Sequence, residues 1–164
     1  MLSDEEQRER RERFRVHWQE GVAFNKASNI TVLRWDPDGV ELHLPYRDDL
    51  SAHPGVFHGG MLSALVDTAG CGAVAAGHDY NKGSRITTVA LAVQYYTVAA
   101  GEDAVAFAHC TRRGRNVHFA EVVVRSRPTE KVLAQGLVTV SVSGTRQEVV
   151  GPEPSAVEID DGAA

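Results

Sequence analysis

The sequence predicts an α+β domain in which an antiparallel sheet of about six strands wraps around one long central helix, with a flanking helix at the N-terminus. Only one long segment, 59–77, combines helical spacing with enough apolar residues to be buried. Two short β-rich runs precede it and four long ones follow it, which excludes a repeated β-α-β arrangement. With 164 residues, 43% of them hydrophobic and 24% charged, the chain has the composition of one globular domain.

The first element is a predicted surface helix. Residues 3–6 read Ser-Asp-Glu-Glu, a capping box that begins a helix extending to about Gly21. The first half of this helix is almost entirely charged, so we expect it to be solvated and to flank the rest of the domain. We therefore divide the chain into a flanking helix at 1–25, a core domain at 26–146 and a tail at 147–164. The tail is acidic, contains prolines and lacks periodicity, so we expect it to be disordered.

The sheet is predicted from six segments. Residues 30–35 and 40–44 alternate in polarity on either side of an Asp-Pro-Asp-Gly turn and should form a hairpin. The next segment, 45–57, contains Pro54 and Gly55 and is predicted to be a loop. From Arg85 onward there are four β-rich runs separated by turns, RITTVALAVQYYTV, DAVAFAHCTR, NVHFAEVVVRS and VLAQGLVTVSVS.

Charge and cysteine content exclude several classes of function. The formal net charge is -5 and the core domain has one short Arg-rich turn as its only concentrated positive charge, so we expect no nucleic-acid partner. Cys71 and Cys110 lack the spacing of a disulfide framework or a zinc site, so we expect no metal. The charged N-terminus does not resemble an export signal, and the apolar runs are shorter than the roughly 20 residues that span a bilayer. We therefore expect a cytoplasmic protein without a membrane partner.

The central helix is unusual because it begins with two glycines, Gly59 and Gly60. The first turn of a helix carries unpaired N–H donors and the positive end of the helix dipole, and glycine lets another group approach the backbone closely. A carbonyl oxygen over this turn would meet preorganised donors as negative charge develops on it, as in an oxyanion hole. The alternative is that the glycine pair only allows a loop to pack tightly against a strand.

Asp67 is the second unusual feature of this helix, because it is the only charged residue between 61 and 77. A solvated helix face would normally carry other charges three or four residues away. On a helical projection Asp67 shares a face with small residues, which leave space beside its carboxylate: Gly60, Ser63, Ala64, Gly70 and Cys71. We interpret Asp67 as a catalytic or ligand-binding acid, and the alternative is a buried, hydrogen-bonded structural aspartate.

These residues resemble a known motif. His58-Gly59-Gly60, followed by Asp67 nine residues after the histidine, is similar to the motif of hotdog-fold acyl-CoA thioesterases of the phenylacetate-degradation and 4-hydroxybenzoyl-CoA type. The resemblance covers about Val40 to Val142 and implies the hotdog fold, in which an antiparallel sheet wraps a long helix. It implies hydrolysis of acyl-CoA to a free acid and CoA, with CoA as part of the substrate and no separate cofactor.

The resemblance also implies roles for residues. The Gly59 N–H would stabilise the oxyanion, and Asp67 would be the general base or the nucleophile. His58 would have a positioning role, and Thr88 on the next strand would help to hold the attacking water. Thr88 is equally an ordinary strand residue.

Further residues are candidates for substrate binding. Related enzymes often bind the phosphates of CoA near the turn that here holds Arg113, Arg115 and Asn116, although a basic hairpin tip is usually only solvated. Gly60 is a candidate as the second backbone donor of the helix. Many family members have Asn or Gln six residues before the histidine of the motif, where this chain has Ala52, and the adjacent His53 is a candidate substitute.

Helix geometry predicts how the site is assembled. Eight residues separate Gly59 from Asp67, so at 1.5 Å per residue they lie roughly 12 Å apart along one helix. Because one substrate carbonyl cannot contact both, Gly59 of one chain should face Asp67 of another across a two-fold axis. We therefore expect a homodimer, and the family resemblance adds dimers paired into a homotetramer.

Two other functions stay open. His53-Pro54-Gly55 stands fourteen residues before Asp67, the separation found in hotdog hydroxyacyl-thioester dehydratases, in which histidine is the base. The Gly59-Gly60 pair favours the thioesterase, because those dehydratases more often have a proline before a single glycine. A non-catalytic acyl-CoA binding protein on the same fold is the third possibility. The acyl group itself, aryl or aliphatic, is left open, as is the question of which of Tyr95 and Tyr96 points inward.

Overall fold

A computed structural model describes residues 1–37 and 39–144 of the chain. The tail at 147–164 that the sequence predicts to be disordered lies outside the described residues.

The strands confirm the predicted antiparallel sheet. Six of them form one sheet in the order β1-β2-β6-β7-β8-β5, and every neighbouring pair is antiparallel. In chain order these strands are β1 (Thr31–Asp36), β2 (Gly39–Leu44), β5 (Arg85–Tyr95), β6 (Asp103–Arg113), β7 (Val117–Arg127) and β8 (Val132–Ser143). The two strands at the edges are therefore β1 and β5.

The segment 45–57, predicted to be a loop, contains a small hairpin of its own. Strand β3 (Ser51–His53) pairs with β4 (Val56–Phe57) in a separate two-stranded sheet. The intervening Pro54-Gly55 forms the turn, and Gly55 has a φ of 78°, which favours glycine. The prediction was wrong here because Pro54 and Gly55 form only the tight turn, and the residues on either side of them pair as short strands.

The central helix, α3 (Gly59–Ala76), lies against the concave face of the sheet, as predicted. Its apolar side chains Leu65 and Val66 are fully buried. The facing strands alternate, so that Val40 and Leu42 of β2 point into the core opposite small alanines of β6. By length and composition α3 is apolar enough to cross a membrane, contrary to the expectation from the apolar runs, but 61% of it is buried within the domain.

The N-terminal helix packs on the domain as a flank. Helix α1 (Asp4–Val16) begins with the predicted capping box, since the Ser3 hydroxyl accepts from the Glu6 N–H and the Glu6 carboxylate accepts from the Ser3 N–H. A π-helical turn (His17–Gly21) and the short α2 (Ala23–Ala27) follow. Trp18 stacks on Trp35 with ring centroids 5.8 Å apart and donates its indole N–H to the Thr68 carbonyl of α3 at 3.2 Å. The flank therefore holds the middle of the central helix.

A β-bulge in edge strand β5 decides which of its side chains face the helix. Thr88 pairs with Val140 and Ala90 with Thr139, so Val89 is left between them without a partner in β8. Thr88 and Tyr95 are seven residues apart and would point to opposite faces of a regular strand. Because the bulge inserts one residue, both point toward α3.

Candidate active site

His58 caps the N-terminus of α3. Its backbone is extended, with φ −63° and ψ 131°, and its Nδ1 accepts a hydrogen bond from the Gly60 N–H at 2.9 Å. Its carbonyl accepts from the Met61 N–H at 2.9 Å. A Cβ on Gly60 would lie 2.8 Å from Nδ1, so glycine at this position makes room for the imidazole. Since Nδ1 is an acceptor, the ring proton is on Nε2.

The peptide that joins Gly59 to Gly60 is held at both ends. Its N–H is engaged by His58, and its carbonyl oxygen accepts from the Tyr95 hydroxyl at 3.0 Å. The same hydroxyl contacts the Ser63 hydroxyl. In the described part of the chain, the Gly59 N–H has no hydrogen-bond partner. Of the first three N–H groups of α3, this one is available to an external acceptor.

Asp67 lies two turns further along the helix and is half-buried. The Thr88 hydroxyl donates to its Oδ1 at 2.7 Å, and the Cys71 sulfur lies 3.1 Å from the Thr88 oxygen and 3.9 Å from Oδ1. Within residues 1–37 and 39–144, no hydrogen bond or ion pair engages Oδ2 of Asp67. One carboxylate oxygen is therefore fixed, and the other is available as a base or nucleophile.

One chain thus contains two separate groups of polar residues. We name the first the glycine half-site, comprising His58, Gly59, Gly60, Ser63 and Tyr95. The second is the carboxylate half-site, comprising Asp67, Cys71 and Thr88. Edge strand β5 runs antiparallel to α3, so its Tyr95 end lies at the glycine half-site and its Thr88 end at the carboxylate half-site.

A groove of about 340 Å³ opens beside the glycine half-site. Tyr95 and Tyr96 both line it, but only Tyr95 points toward the helix, whereas the Tyr96 hydroxyl donates to Gln135 at 3.0 Å. The rest of its wall is mostly apolar and includes Val56, Phe57, Leu62, Val98 and Ala99. Such a groove could accept an acyl chain next to the Gly59 N–H.

The structure separates the residues of the Arg-rich turn. Arg113 donates to the carbonyls of Val74 at 2.9 Å and Ala73 at 3.0 Å, so its guanidinium caps the C-terminus of α3. A phosphate contact from Arg113 would compete with these bonds. Arg115 and Asn116 are exposed at the hairpin tip, where they can meet a ligand.

His53 is exposed on the small hairpin, beside the exposed Ala52. No contact between His53 and Asp67 is found in the described part of the chain, so the pair required by a dehydratase does not meet within one chain. Other histidines have partners that sequence spacing did not reveal. His43 bonds Asp103 at 2.8 Å across two strands, and the rings of His78 and His118 lie 5.7 Å apart.

Burial sets the protonation of the thiol in the carboxylate half-site. It raises the pKa of Cys71 to about 12, so this group is a neutral thiol. Residues 1–37 and 39–144 contain no cluster of three His, Cys, Asp or Glu side chains that could hold a metal ion.

Three members of these half-sites, Tyr95, Ser63 and Cys71, were not identified as such from sequence. Tyr95 was considered only for the acyl pocket, because its orientation depends on the bulge at Val89. Ser63, like Cys71, was recognised only as a small residue on the face of Asp67. The helical spacing of four residues was the signal that could have connected Cys71 to the carboxylate.

The chain is similar to proteins of a known family. Residues 54–133 match the family model of the thioesterase superfamily. A protein of Halobacterium salinarum named "Putative esterase" is 33% identical over 107 residues, which cover 59% of this chain and 70% of that protein. The chain belongs to the thioesterase superfamily.

Two further proteins are similar to this chain. Human acyl-coenzyme A thioesterase 13 is 28% identical over 122 residues, covering 70% of this chain and 85% of that protein. The PaaI protein from the phenylacetic acid degradation operon of E. coli superimposes with a TM-score of 0.73 over 84% of this chain and 96% of that one. Its sequence is 18% identical, so this likeness establishes the hotdog fold alone. The resemblance to the phenylacetate-degradation and 4-hydroxybenzoyl-CoA subtype stays a prediction.

Proposed function

We propose that this thioesterase-superfamily protein hydrolyses acyl-CoA thioesters to a free acid and CoA, at active sites shared between two chains. The observation that carries the proposal is the pair of incomplete half-sites. Among the described residues, the Gly59 N–H and Oδ2 of Asp67 have no partner, and they lie on one helix, too far apart for a single carbonyl. Each half-site supplies what the other lacks.

The edge strand β5 is the surface through which two chains would join. It ends the sheet, and Val89 is 62% exposed and Tyr95 53% exposed. Antiparallel pairing of β5 with its copy, around a two-fold axis near residues 91 and 92, places the Tyr95 end of one strand beside the Thr88 end of the other. The glycine half-site of one chain then faces the carboxylate half-site of its partner, with two sites per dimer. A tetramer would form by pairing two such dimers.

The proposed reaction follows from these positions. The thioester carbonyl oxygen accepts from the Gly59 N–H, and Oδ2 of Asp67 in the facing chain removes a proton from water. The resulting hydroxide attacks the carbonyl carbon, and the tetrahedral oxyanion collapses with cleavage of the C–S bond. The CoA thiolate leaves and recovers the proton from Asp67. Direct attack by the carboxylate, with hydrolysis of the anhydride that forms, is the alternative role of the same residue.

The remaining residues position these groups. His58 engages the Gly60 N–H and leaves that of Gly59 available. Thr88 donates its hydroxyl proton to Asp67, so we assign it to orienting the carboxylate. Arg115 and Asn116 at the exposed tip are the proposed contacts for the phosphates of CoA, and the groove beside Tyr95 would hold the acyl group.

The first experiment measures CoA release from a panel of aryl and aliphatic acyl-CoAs by the wild type and by Asp67→Asn. CoA should be quantified by chromatography, since thiol reagents would also report Cys71 and Cys110. We expect the variant to lose at least about 10²-fold in kcat while staying folded. No release by the wild type would contradict the proposal. Binding without turnover would indicate an acyl-CoA binding protein, and hydration of enoyl-CoA would indicate a dehydratase.

Co-expression tests whether two chains share a site. Gly59→Pro and Asp67→Asn homodimers should each be inactive. A mixed dimer contains one site with both lesions and one intact site, so random mixing should restore about a quarter of the wild-type sites. Absence of any restored activity, with mixed dimers shown to be present, would mean that both half-sites act within one chain.

A further inference from the structure

We propose that Cys71 is a positioning residue, whose thiol holds the Thr88 hydroxyl in the orientation in which it donates to Asp67. The catalytic meaning of this inference rests on the proposed function. The hydrogen-bond chain itself does not, and it can be measured without substrate.

The geometry brings the three side chains together from two elements. Cys71 follows Asp67 by four residues and therefore lies one turn further along the same face of α3. Thr88 approaches from β5, immediately before the bulge at Val89. Its oxygen lies 2.7 Å from Oδ1 of Asp67 and 3.1 Å from the sulfur of Cys71.

The number of available protons fixes which group donates in each of these hydrogen bonds. A threonine hydroxyl has one proton, and an ionised carboxylate can only accept, so this proton is committed to Asp67. The Thr88 oxygen must then be the acceptor of its contact with the sulfur. Cys71 can donate, because burial keeps it as a thiol with a pKa of about 12. Cys71 therefore donates to Thr88, and Thr88 donates to Asp67.

The alternative uses of a buried cysteine do not fit this site. A nucleophilic cysteine needs thiolate character, which both burial and the nearby carboxylate oppose. Among the described residues Cys71 has no disulfide partner, and it belongs to no cluster that could hold a metal. What remains is a donor that prevents the Thr88 hydroxyl from rotating away, and so keeps Oδ1 fixed.

The infrared S–H stretching band of Cys71 tests its hydrogen bond to Thr88 in the protein without substrate. Cys110→Ala leaves Cys71 as the only cysteine, so its band can be assigned. Thr88→Val removes the nearer acceptor, and we expect the band to move to higher frequency, because the thiol is left with only the longer contact to Oδ1 of Asp67 at 3.9 Å. A band that is unchanged by Thr88→Val would overturn the inference. This result is independent of whether the protein hydrolyses any thioester.

Steady-state kinetics test whether the hydrogen bonds from Cys71 to Thr88 and from Thr88 to Asp67 contribute to catalysis. Cys71→Ala and Cys71→Val both remove the donor, and the valine preserves side-chain bulk in case alanine fails to fold. We expect kcat to fall roughly 3- to 10-fold with KM unchanged, and Cys71→Ser to recover most of it because serine can donate to Thr88. Cys110→Ala, at a partly buried site away from Asp67, is the matched control and should match the wild type. Equal kcat values for the serine and valine variants would show that only packing at position 71 matters.

Discussion

Both ends of α3 leave backbone groups without helical partners, N–H donors at the N-terminus and carbonyl acceptors at the C-terminus, and the two ends are satisfied to different extents. At the C-terminus, Arg113 donates to the carbonyls of Ala73 and Val74 and closes the end of the helix. At the N-terminus, His58 accepts hydrogen bonds from the Gly60 and Met61 N–H groups, whereas the Gly59 N–H has no partner among the described residues. A closed end stabilises the fold, whereas an open end can bind something else.

Burial follows the same division. The side chains next to the C-terminal end, Tyr80, His78 and His118, are at most 3% exposed. At the N-terminal end Tyr95 is 53% exposed and borders a groove. The open donor therefore lies where an outside acceptor can approach, and substitutions at the two ends should separate activity from stability.

The largest expected effect comes from removing the open donor. Gly59→Pro deletes the N–H, and proline suits the first position of a helix. The extended backbone of His58 is the conformation favoured before proline. We therefore expect kcat for acyl-CoA hydrolysis to fall by about 10²–10³-fold, with little change in the midpoint of thermal unfolding.

Gly59→Ala is the control for this change, since it keeps the N–H. A Cβ at this position would meet Tyr95 at 3.5 Å, an ordinary contact. Alanine should therefore retain most of the activity. If proline and alanine variants were equally active, the Gly59 N–H would have no part in the reaction.

The open end is also the part of the molecule that sequence patterns describe best. Gly59-Gly60 and the isolated Asp67 could be recognised because each conflicts with ordinary helix composition. The limits of α3 and the order of the strands were predictable from hydrophobic periodicity and turn residues.

The closed end could not be predicted in the same way, because β-bulges decide it. A register shift between Cys110 and Arg112 turns Arg113 toward α3, as the shift at Val89 turns Tyr95 toward Gly59. An extra residue in a strand reverses the face of everything after it. No residue type in either strand marks its position, so the sequence predicts Arg113 as a phosphate contact at the hairpin tip and not as a cap of α3.

Acid should lower the free energy of unfolding through the buried histidines beside the C-terminal end of α3. Burial lowers the pKa of His78 to about 4, with His118 and Arg113 acting in the same direction and the Gly83 carbonyl and Asp79 opposing it. The folded state therefore keeps His78 neutral while the unfolded chain binds a proton near pH 6.5. The contribution of neutral His78 to the free energy of unfolding should be fully present above about pH 6.5. It should be lost as the pH falls toward 4, by up to about 3 kcal/mol. Urea unfolding across this range checks the slope.

Two substitutions identify the source of that slope. His78→Gln removes the buried titrating group and should flatten the decline. His109→Gln changes a histidine whose side chain is 57% exposed, and should leave the decline unchanged. Equal slopes in all three proteins would show that carboxylates elsewhere control the acid response.

Removing the cap itself should have a smaller effect on stability. Arg113→Met keeps most of the side-chain length but loses the hydrogen bonds to the carbonyls of Ala73 and Val74, so we expect the free energy of unfolding to fall by about 1–2 kcal/mol.

Arg115→Met, at the exposed tip, should change stability by less than about 0.5 kcal/mol. It should instead raise KM for acyl-CoA, but not for the corresponding acyl-pantetheine, which lacks the nucleotide phosphates. A raised KM for Arg113→Met alone would reverse the two assignments.

The smallest expected effect concerns the bond that holds the open end from outside the helix. Tyr95→Phe keeps the ring but removes the hydroxyl that donates to the Gly59 carbonyl, leaving His58 as the remaining restraint on the Gly59-Gly60 peptide. The contact of the same hydroxyl with Ser63 is lost as well. Loss of the hydrogen bond to the Gly59 carbonyl, about 1 kcal/mol, corresponds to roughly a 5-fold decrease in kcat. Tyr96→Phe is the matched control, because its hydroxyl bonds Gln135 instead. If the two variants lose the same activity, the groove rather than the peptide is what Tyr95 supports, and the donor of Gly59 is held in place by the helix alone.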